Sequence, residues 1–176
     1  MTAIYSLIYH PDHPPIAARV VTADLTRNGD LLRLTYRVHG VERLVFPERT
    51  FPARADELWR TTCFELFLLF DDDERYVEFN FSPSTRWAAY AFDGYRDGMA
   101  PLPLATTPRI ERLPNGVAVA CDLSGLPHGE HRMALTAVLE EEGGVRSFWS
   151  LAHPPGPPDF HHTACFAARL PAPTSA

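Results

Sequence analysis

The stretch LWRTTCFELFLLF, residues 58–70, and the stretch YVEFNFSP, residues 76–83, decide how this chain folds. Successive side chains on a β-strand point to opposite faces of a sheet, so each stretch can be divided into two faces. Pairing the stretches as a hairpin makes one face wholly apolar. Its members are Phe64, Leu66, Leu68, Phe70, Val77, Phe79 and Phe81. This face predicts the buried surface of a sheet.

The opposite face of the same hairpin mixes polar and aromatic groups. Its members are Glu65, Phe67, Glu78, Asn80 and Ser82. Carboxylate and amide groups can hydrogen-bond to the polar atoms of a ligand, while a ring covers its apolar side. We therefore expect a surface for a polar ligand on this face.

A third strand, residues 86–93, is predicted to pair with the second stretch after a Ser-Pro turn. In one register Trp87 joins the apolar face and Tyr90 falls beside Glu78 on the polar face. A one-residue slip would turn Trp87 to the polar face instead, and a bulge near the turn would bring it to the rim. Trp87 and Trp59 are both candidates for the aromatic plate of a ligand site.

Turn signals between apolar runs predict further strands over the rest of the chain. The predicted hairpins join 18–27 with 32–38, 109–113 with 117–123, and 131–140 with 145–151. Short runs at 41–46 and 165–170 are also strand-like, 54–59 is one or two helical turns at most, and 94–108 reads as a long connection. The pattern predicts an all-β chain, an antiparallel β-sandwich forming a single domain over residues 1–176.

The composition limits the classes of protein to which this chain can belong. The chain has 176 residues with 17 prolines and 10 glycines, and it contains no apolar run long enough for a membrane helix. Its N-terminus has no secretory signal pattern, so a cytoplasmic location without a membrane partner is expected. Three widely spaced cysteines predict reduced, half-buried thiols rather than a disulfide framework or a zinc site.

The charge pattern argues against nucleic acid as a partner. The formal net charge is −6, and all 16 cationic residues are arginines scattered along the chain. A nucleic-acid-binding surface needs a basic patch, and none is visible. The oligomeric state does not follow from the sequence.

Eight residues are candidates for ligand binding. They are Trp59, Arg60, Glu65, Glu78, Asn80, Trp87, Tyr90 and Arg96. The two arginines could hold a carboxylate or phosphate with two hydrogen bonds. The alternative for the glutamates is a solvated sheet face or ion pairs with Arg60, Arg86 or Arg96.

Three catalytic or metal-binding alternatives are weaker. Glu65 and Glu78 could form the carboxyl pair of a glycoside hydrolase, but no other feature marks a hydrolase cleft. The histidines of the proline-rich segments, among them His161, are expected at the surface or rim. The acidic run Asp71–Glu74 lacks the spacing of a calcium loop and reads as a solvated turn. No metal site and no catalytic residue is predicted.

These motifs resemble those of DOMON-like domains, which are similar to family 9 carbohydrate-binding modules. The resemblance covers Leu58–Phe67 and Tyr76–Pro83. The following Trp87–Tyr90 and Asp93–Arg96, and the later Phe148–Leu151 and Asp159–His161, resemble a bacterial DOMON-like subgroup. It implies a jelly-roll β-sandwich that binds sugar or haem on one concave sheet. The signature positions are Trp59, Glu65, Glu78 and Asn80, whereas Cys63 stands where the modules usually carry an acidic residue.

Together, the residues and the resemblance predict a non-catalytic domain that binds a small polar ligand, first a sugar or sugar derivative. The second possibility is a haem-binding or redox module, because haem-binding relatives use methionine and histidine and this chain has Met99 and eight histidines. A third is a protein-interaction domain. No cofactor other than haem is implied.

Overall fold

The computed structural model describes residues 2–70 and 74–173. Asp71, Asp72 and Asp73 of the predicted acidic turn lie outside the described residues. The described chain has twelve β-strands: β1 Ala3–Tyr9, β2 Val20–Asn28, β3 Leu31–His39, β4 Cys63–Phe70, β5 Tyr76–Phe81, β6 Trp87–Phe92, β7 Ala100–Pro101, β8 Arg109–Leu113, β9 Gly116–Asp122, β10 His131–Glu141, β11 Val145–Ser150 and β12 Ala168–Leu170. Two 3-10 turns, Leu58–Arg60 and Thr163–Cys165, are its only helical elements.

The strands form one antiparallel sheet that curls on itself. The strand order is β7-β6-β5-β4-β10-β11-β1-β2-β3-β9-β8, and β12 pairs with β10. Tyr36 of β3 and Phe64 of β4 are far apart in this order, yet their rings stack with centroids 5.0 Å apart. The β3 half of the sheet (β1, β2, β3, β8 and β9) therefore faces the β4 half (β4 to β7, β10 and β11). The prediction of an all-β antiparallel chain is confirmed.

Strand β1 joins the two halves. Its residues 3–7 pair with β2, and its last two residues, Ile8 and Tyr9, pair with β11. Its burial alternates, with Leu7 in the core and Ile4 and Ile8 exposed. The sequence analysis did not predict this strand.

The main core lies between the two halves and uses the apolar face predicted for the hairpin. Phe64, Phe79 and Phe81 are fully buried there beside side chains of β2, β3 and β9. The hydroxyl of Tyr36 donates a 2.5 Å hydrogen bond across the core to the backbone carbonyl of Glu65. Alternation in sequence thus sets which side chains enter the core.

The predicted register of the central strands is present. Across β5 and β6, Glu78 pairs with Tyr90 and Phe81 pairs with Trp87. Trp87 is consequently on the core face, where the guanidinium of Arg54 lies over its ring at 4.4 Å. The sequence-based proposal of Trp87 as a ligand-binding residue needed a slipped or bulged strand, which the structure does not have.

Four other segments differ from the predictions. Residues 41–46 contribute only an isolated bridge between Leu44 and Glu141, because the chain turns at 42–43. The helical candidate 54–59 is reduced to the 3-10 turn Leu58–Arg60, and the run 165–170 begins with the second 3-10 turn. The connection 94–108 includes the two-residue strand β7.

The second face of the β4 half is also covered. Every residue of β5 is buried, as are all residues of β4 except Phe70, which is partly exposed. A second apolar cluster lies on this face: Phe67, Leu69, Tyr76, Ala88, Tyr90, Phe92, Ala134, Cys165 and Phe166. The polar face predicted from the sequence is therefore an interior surface, not a solvated one.

All three cysteines are free thiols, and they are buried rather than half-buried. Within residues 2–70 and 74–173, no helix has the length and apolar character needed to span a membrane. The same residues contain no cluster of three or more metal-ligating side chains.

Candidate ligand-binding site

A pocket of about 540 Å³ opens on the second face of the β4 half. Its floor comes from β4, β5, β6 and β10, and its walls come from the segment before β4, the loop after β6, strand β11 and the proline-rich loop 153–162. The lining residues are Asp56, Glu57, Trp59, Glu65, Phe67, Glu78, Tyr90, Phe92, Arg96, Met99, Val138, Phe148, Pro158, Phe160 and His161.

Glu65 is a buried carboxyl group on the floor, with 2% of its surface exposed. Strand β4 directs it away from the core, since Phe64 and Leu66 on either side enter the core. Its Oε2 accepts a 2.9 Å hydrogen bond from the hydroxyl of Thr136 on β10. One hydroxyl is little compensation for a carboxylate removed from water.

Glu78 is the second buried carboxyl, on the neighbouring strand β5, with 6% exposed. Its Oε1 accepts a 2.9 Å hydrogen bond from the side-chain amide of Asn80, and its Oε2 lies 3.8 Å from Nε2 of His161. Asn80 is opposite Glu65 in the strand pairing, so it lies between the two carboxyls. Oδ1 of Asn80 is buried without a hydrogen-bond partner among the described residues.

Burial and mutual repulsion favour the protonated forms of this carboxyl pair. Burial raises the pKa of Glu65 well above its ordinary value, and the nearby Glu78 raises it further. Burial also raises the pKa of Glu78 to about 7, against the lowering effects of Asn80 and Arg96. Two carboxyls that cannot both ionise freely near neutral pH are typical of functional sites.

The segment before β4 forms one wall. Its Trp59 is 44% exposed at the pocket mouth, and Oδ1 of Asp56 accepts a 2.6 Å hydrogen bond from the hydroxyl of Tyr90. Glu57 has a left-handed backbone, with φ 57°, and its carboxylate pairs with Arg60 at 2.7 Å. Non-glycine residues in this conformation are uncommon, and they concentrate at binding and active sites.

The proline-rich loop 153–162 forms the opposite wall and carries His161. Nδ1 of His161 is 2.7 Å from the hydroxyl of Tyr76 on β5, and its ring packs edge-on against Phe67 and Phe92. Burial lowers the pKa of His161 to about 4, so its ring is neutral near neutral pH. The expectation of a surface or rim position is wrong for this histidine.

Anchors at both ends hold this loop against the sheet. At its start, Nε2 of His153 lies 2.9 Å from the carbonyl oxygen of Ile8, and Nε2 of His10 lies 2.9 Å from the carbonyl oxygen of Gly156. Near its end, Asp159 pairs with the guanidinium of Arg96 at 2.8 Å. The wall is therefore tied to β1 and to the loop after β6.

Among the residues that line the pocket, Arg96 carries a positive charge, and its guanidinium is paired with Asp159. Its backbone is also left-handed, with φ 54°, and its backbone N–H donates to the hydroxyl of Tyr76 at 3.2 Å. The hydroxyl of Tyr95 donates to the second oxygen of Asp159 at 2.5 Å. Two of the three non-glycine residues with positive φ in the described chain thus lie at this pocket.

The structure brings most of the sequence-predicted site residues to one place. Trp59, Glu65, Glu78, Tyr90 and Arg96 line the pocket. Asn80 lies beneath them as the hydrogen-bond partner of Glu78. Arg60 is not a lining residue but pairs with Glu57, which is one, and Trp87 is on the core face. The alternative ion pairs of the two glutamates with Arg60, Arg86 or Arg96 do not form, since these arginines bind Glu57, Thr50 and Asp159.

None of the predicted ligand-binding residues comes from β10, β11 or the proline-rich loop. Phe148, Phe160 and His161 line the pocket from there, and Thr136 of β10 binds Glu65. The resemblance covers the segments of the first three, but no site role was predicted for them. Tyr76 carried a local signal, because it continues the second face of β5 beside Glu78 and Asn80. His161 lies in a segment that the resemblance covers, but an irregular loop has no periodicity that would fix the direction of its side chain.

Comparison with known proteins informs the fold. No family model matches this chain, and no curated protein matches it. Among solved structures, a "putative carbohydrate-binding protein" from Bacteroides uniformis is similar, with a TM-score of 0.68 and 15% identity over 96% of this chain and 85% of that chain. At this identity the likeness shows a shared fold alone.

Proposed function

We propose that the chain binds a small polar ligand without catalysis, and that this ligand is a sugar or sugar derivative. The observation that carries the proposal is the pocket itself, with two buried carboxyls on its floor and exposed aromatic surface at its mouth. Ligand pockets combine apolar walls with a few convergent polar groups. The similarity to the Bacteroides uniformis protein supports the same class of ligand.

The residue types suit a pyranose ring. Glu65 and Glu78 offer hydrogen-bond acceptors to hydroxyl groups, and they can donate when protonated. Trp59 offers a flat apolar surface to the C–H face of the ring, as aromatic side chains do at interfaces with one polar and one apolar side. Phe148 and Phe160 of the opposite wall extend this surface.

We also infer that the curled sheet is a β-sandwich of the jelly-roll type, as the resemblance to DOMON-like domains implies. The stacking of Tyr36 on Phe64 between the two halves supports two layers around one core. On this view the pocket belongs to the outer face of one layer.

A thermal-shift screen over mono- and oligosaccharides tests the binding proposal. A bound sugar raises the melting temperature by mass action, and Glu78→Ala is expected to abolish the shift. Trp59→Ala should weaken binding about tenfold while changing the empty protein's stability little, because Trp59 is 44% exposed and lies outside the buried core.

Phe51→Ala is the matched control, since Phe51 is 88% exposed and lies outside the pocket. It should bind sugar as the unaltered protein does. If no sugar stabilises the protein, or if both alanine variants at the pocket respond like the control, the proposed site is wrong. An assay with nitrophenyl glycosides should detect no hydrolysis, and turnover lost in Glu65→Gln would contradict the non-catalytic proposal.

Haem is the second candidate because Met99 and His161 both line the pocket, and thioether and imidazole are axial haem ligands. His161 uses Nδ1 for Tyr76, which leaves Nε2 beside the Glu78 carboxyl. Two buried carboxyls are poor neighbours for an apolar macrocycle, so sugar ranks first. Titration with haemin should give a Soret band that His161→Ala removes if haem binds, and a featureless titration excludes it.

A further inference from the structure

In their ionised forms, the two carboxyls beneath the pocket are hydrogen-bond acceptors with few donors in the protein. Glu65 receives one hydrogen bond from Thr136, and Glu78 receives one from Asn80. Oδ1 of Asn80, which is buried beside them, receives none from the described residues. A ligand group that supplies several donors and no acceptor would complement the two carboxylates.

The charge around the pocket has the same sign as these acceptors. Asp56 and Glu57 lie at the mouth, where Glu57 is paired with Arg60, and Glu65 and Glu78 lie on the floor. The Arg96 guanidinium is engaged by Asp159, and His161 is neutral. The pocket is therefore poorly suited to an anionic ligand and well suited to a cationic one.

We propose that the ligand carries an ammonium group, as an amino sugar does, and that this group binds at Glu65 and Glu78. This proposal depends on the binding function proposed above and narrows its ligand class. An ammonium supplies three donors and no acceptor, whereas a hydroxyl supplies one donor and must itself find donors. Charge-assisted hydrogen bonds to carboxylates are also stronger than neutral ones.

The aromatic walls favour the same charge. The exposed ring of Trp59 and the rings of Phe148 and Phe160 border the pocket. An aromatic face attracts a cation most strongly where water is excluded. A cationic ligand thus finds carboxylates below it and ring faces beside it.

Binding of the ammonium group releases a proton from the carboxyl pair. In the empty pocket burial raises the pKa of both carboxyls, that of Glu78 to about 7, and so favours their protonated forms. An ammonium within the pocket favours the carboxylate forms. The carboxyl O–H bond then breaks, the carboxylate stays paired with the ammonium, and the proton leaves to buffer.

Matched sugar pairs test the proposal. Glucosamine, galactosamine and mannosamine are compared with their N-acetyl forms and with the parent hexoses by calorimetry, together with chitosan oligomers against fully N-acetylated oligomers. The ammonium forms are expected to bind about ten- to a hundredfold more tightly. Titration in two buffers of different ionisation enthalpy should show release of a proton.

Glu65→Gln and Glu78→Gln keep the shape of the side chain and remove its charge. Both should lose the preference for ammonium by about tenfold or more, and Glu111→Gln, on exposed β8, should keep it. Melting curves verify that the variants are folded. Equal or tighter binding of N-acetyl or parent sugars overturns the ammonium proposal and leaves sugar binding intact. Absence of binding by every sugar overturns both.

Discussion

Glu141 and the Glu65–Glu78 pair are buried carboxyl groups that the fold treats in opposite ways. Glu141, at the end of β10, is completely buried, and its two oxygens accept the backbone N–H groups of Ile16, Ala17 and Ala18 at 2.6, 2.6 and 3.1 Å. Glu65 and Glu78 receive one side-chain donor each and lie next to one another.

The difference separates a carboxylate that stabilises the fold from a pair that we propose binds a ligand. A carboxylate that accepts several backbone N–H groups is well compensated for its removal from water, and it fixes the segment that donates them. A buried pair with one donor each lowers the stability of the fold, and such departures are concentrated at functional sites. Glu65 and Glu78 are thus the buried carboxyls whose missing hydrogen bonds a ligand could supply.

The same substitution at the two regions should give opposite results. Glu141→Gln is expected to lower the free energy of unfolding by about 3 kcal/mol, because three buried N–H groups lose a charged acceptor and the new amide faces them with donors. Urea denaturation at neutral pH measures this. The exposed control Glu111→Gln should change it by less than about 0.5 kcal/mol. If Glu141→Gln were as stable as the control, the hydrogen bonds of Glu141 to residues 16–18 would not stabilise the fold.

A substitution at Gly40 tests how closely the chain packs against residues 16–18, the segment that Glu141 binds. A Cβ at this position would meet the carbonyl oxygen of Ala17 at 2.0 Å, and φ is +86°. We expect Gly40→Ala to cost about 2 kcal/mol or more. Gly29→Ala is the matched control, since φ is +58° with open space around it, and it should show the backbone strain alone. Equal losses in the two variants would show that close packing at Ala17 is unimportant.

Glu78→Gln should stabilise the empty protein, and more so at higher pH. The pKa of Glu78 is raised from 4.5 to about 7, so its contribution to stability is present at low pH and is lost as pH rises through about 7. The variant should gain on the order of 2 kcal/mol at pH above about 8 and little below about 4.5.

The difference between variant and unaltered protein is the quantity to follow across pH. His161, whose pKa is lowered to about 4, makes an opposite contribution that falls as pH drops below its ordinary value, 6.5. That contribution is common to both proteins and largely cancels in the difference. If the gain in stability of Glu78→Gln does not grow with pH, then ionisation of Glu78 does not destabilise the fold.

Thr136→Val should give the smallest loss of stability. It tests whether Glu65 differs from Glu141 in its contribution to the fold. It removes the hydroxyl that donates to Glu65 and keeps the shape of the side chain. We expect a loss of about 1 kcal/mol at high pH, where the carboxylate is charged, and less at low pH. A loss as large as that of Glu141→Gln would mean that Glu65 is also a structural group.

The central hairpin was predictable because its alternation leaves one choice of register. A slip by one residue would bury Glu65 or Glu78 in the main core, so the apolar side chains fix the pairing of β4 with β5. The register of β6 stayed open in the sequence, and with it the face on which Trp87 lies. Strand β1 was missed because Ile4 and Ile8 are apolar on its exposed side, which hides the alternation.

The pocket could be predicted in part for the same reason. The side chains that regular strands carry, Glu65, Glu78 and Tyr90, follow from the pairing of three strands. The covering wall does not, because loop 153–162 is positioned by long-range contacts such as His10 with Gly156 and Arg96 with Asp159. The sequence therefore predicts a polar face, whereas its burial and the raised pKa of its carboxyls depend on the loop.

The position of β1 between β2 and β11 has a consequence for the rate of folding. Ile8 pairs with Ser150, so the two halves of the sheet cannot be joined until segments near opposite ends of the described chain have met. Contacts of such sequence separation slow folding, whereas β1 and β2 are close in sequence. We therefore expect the pairing of Ile8 and Tyr9 with β11 to form late, and the open edge of β11 to favour aggregation until it does.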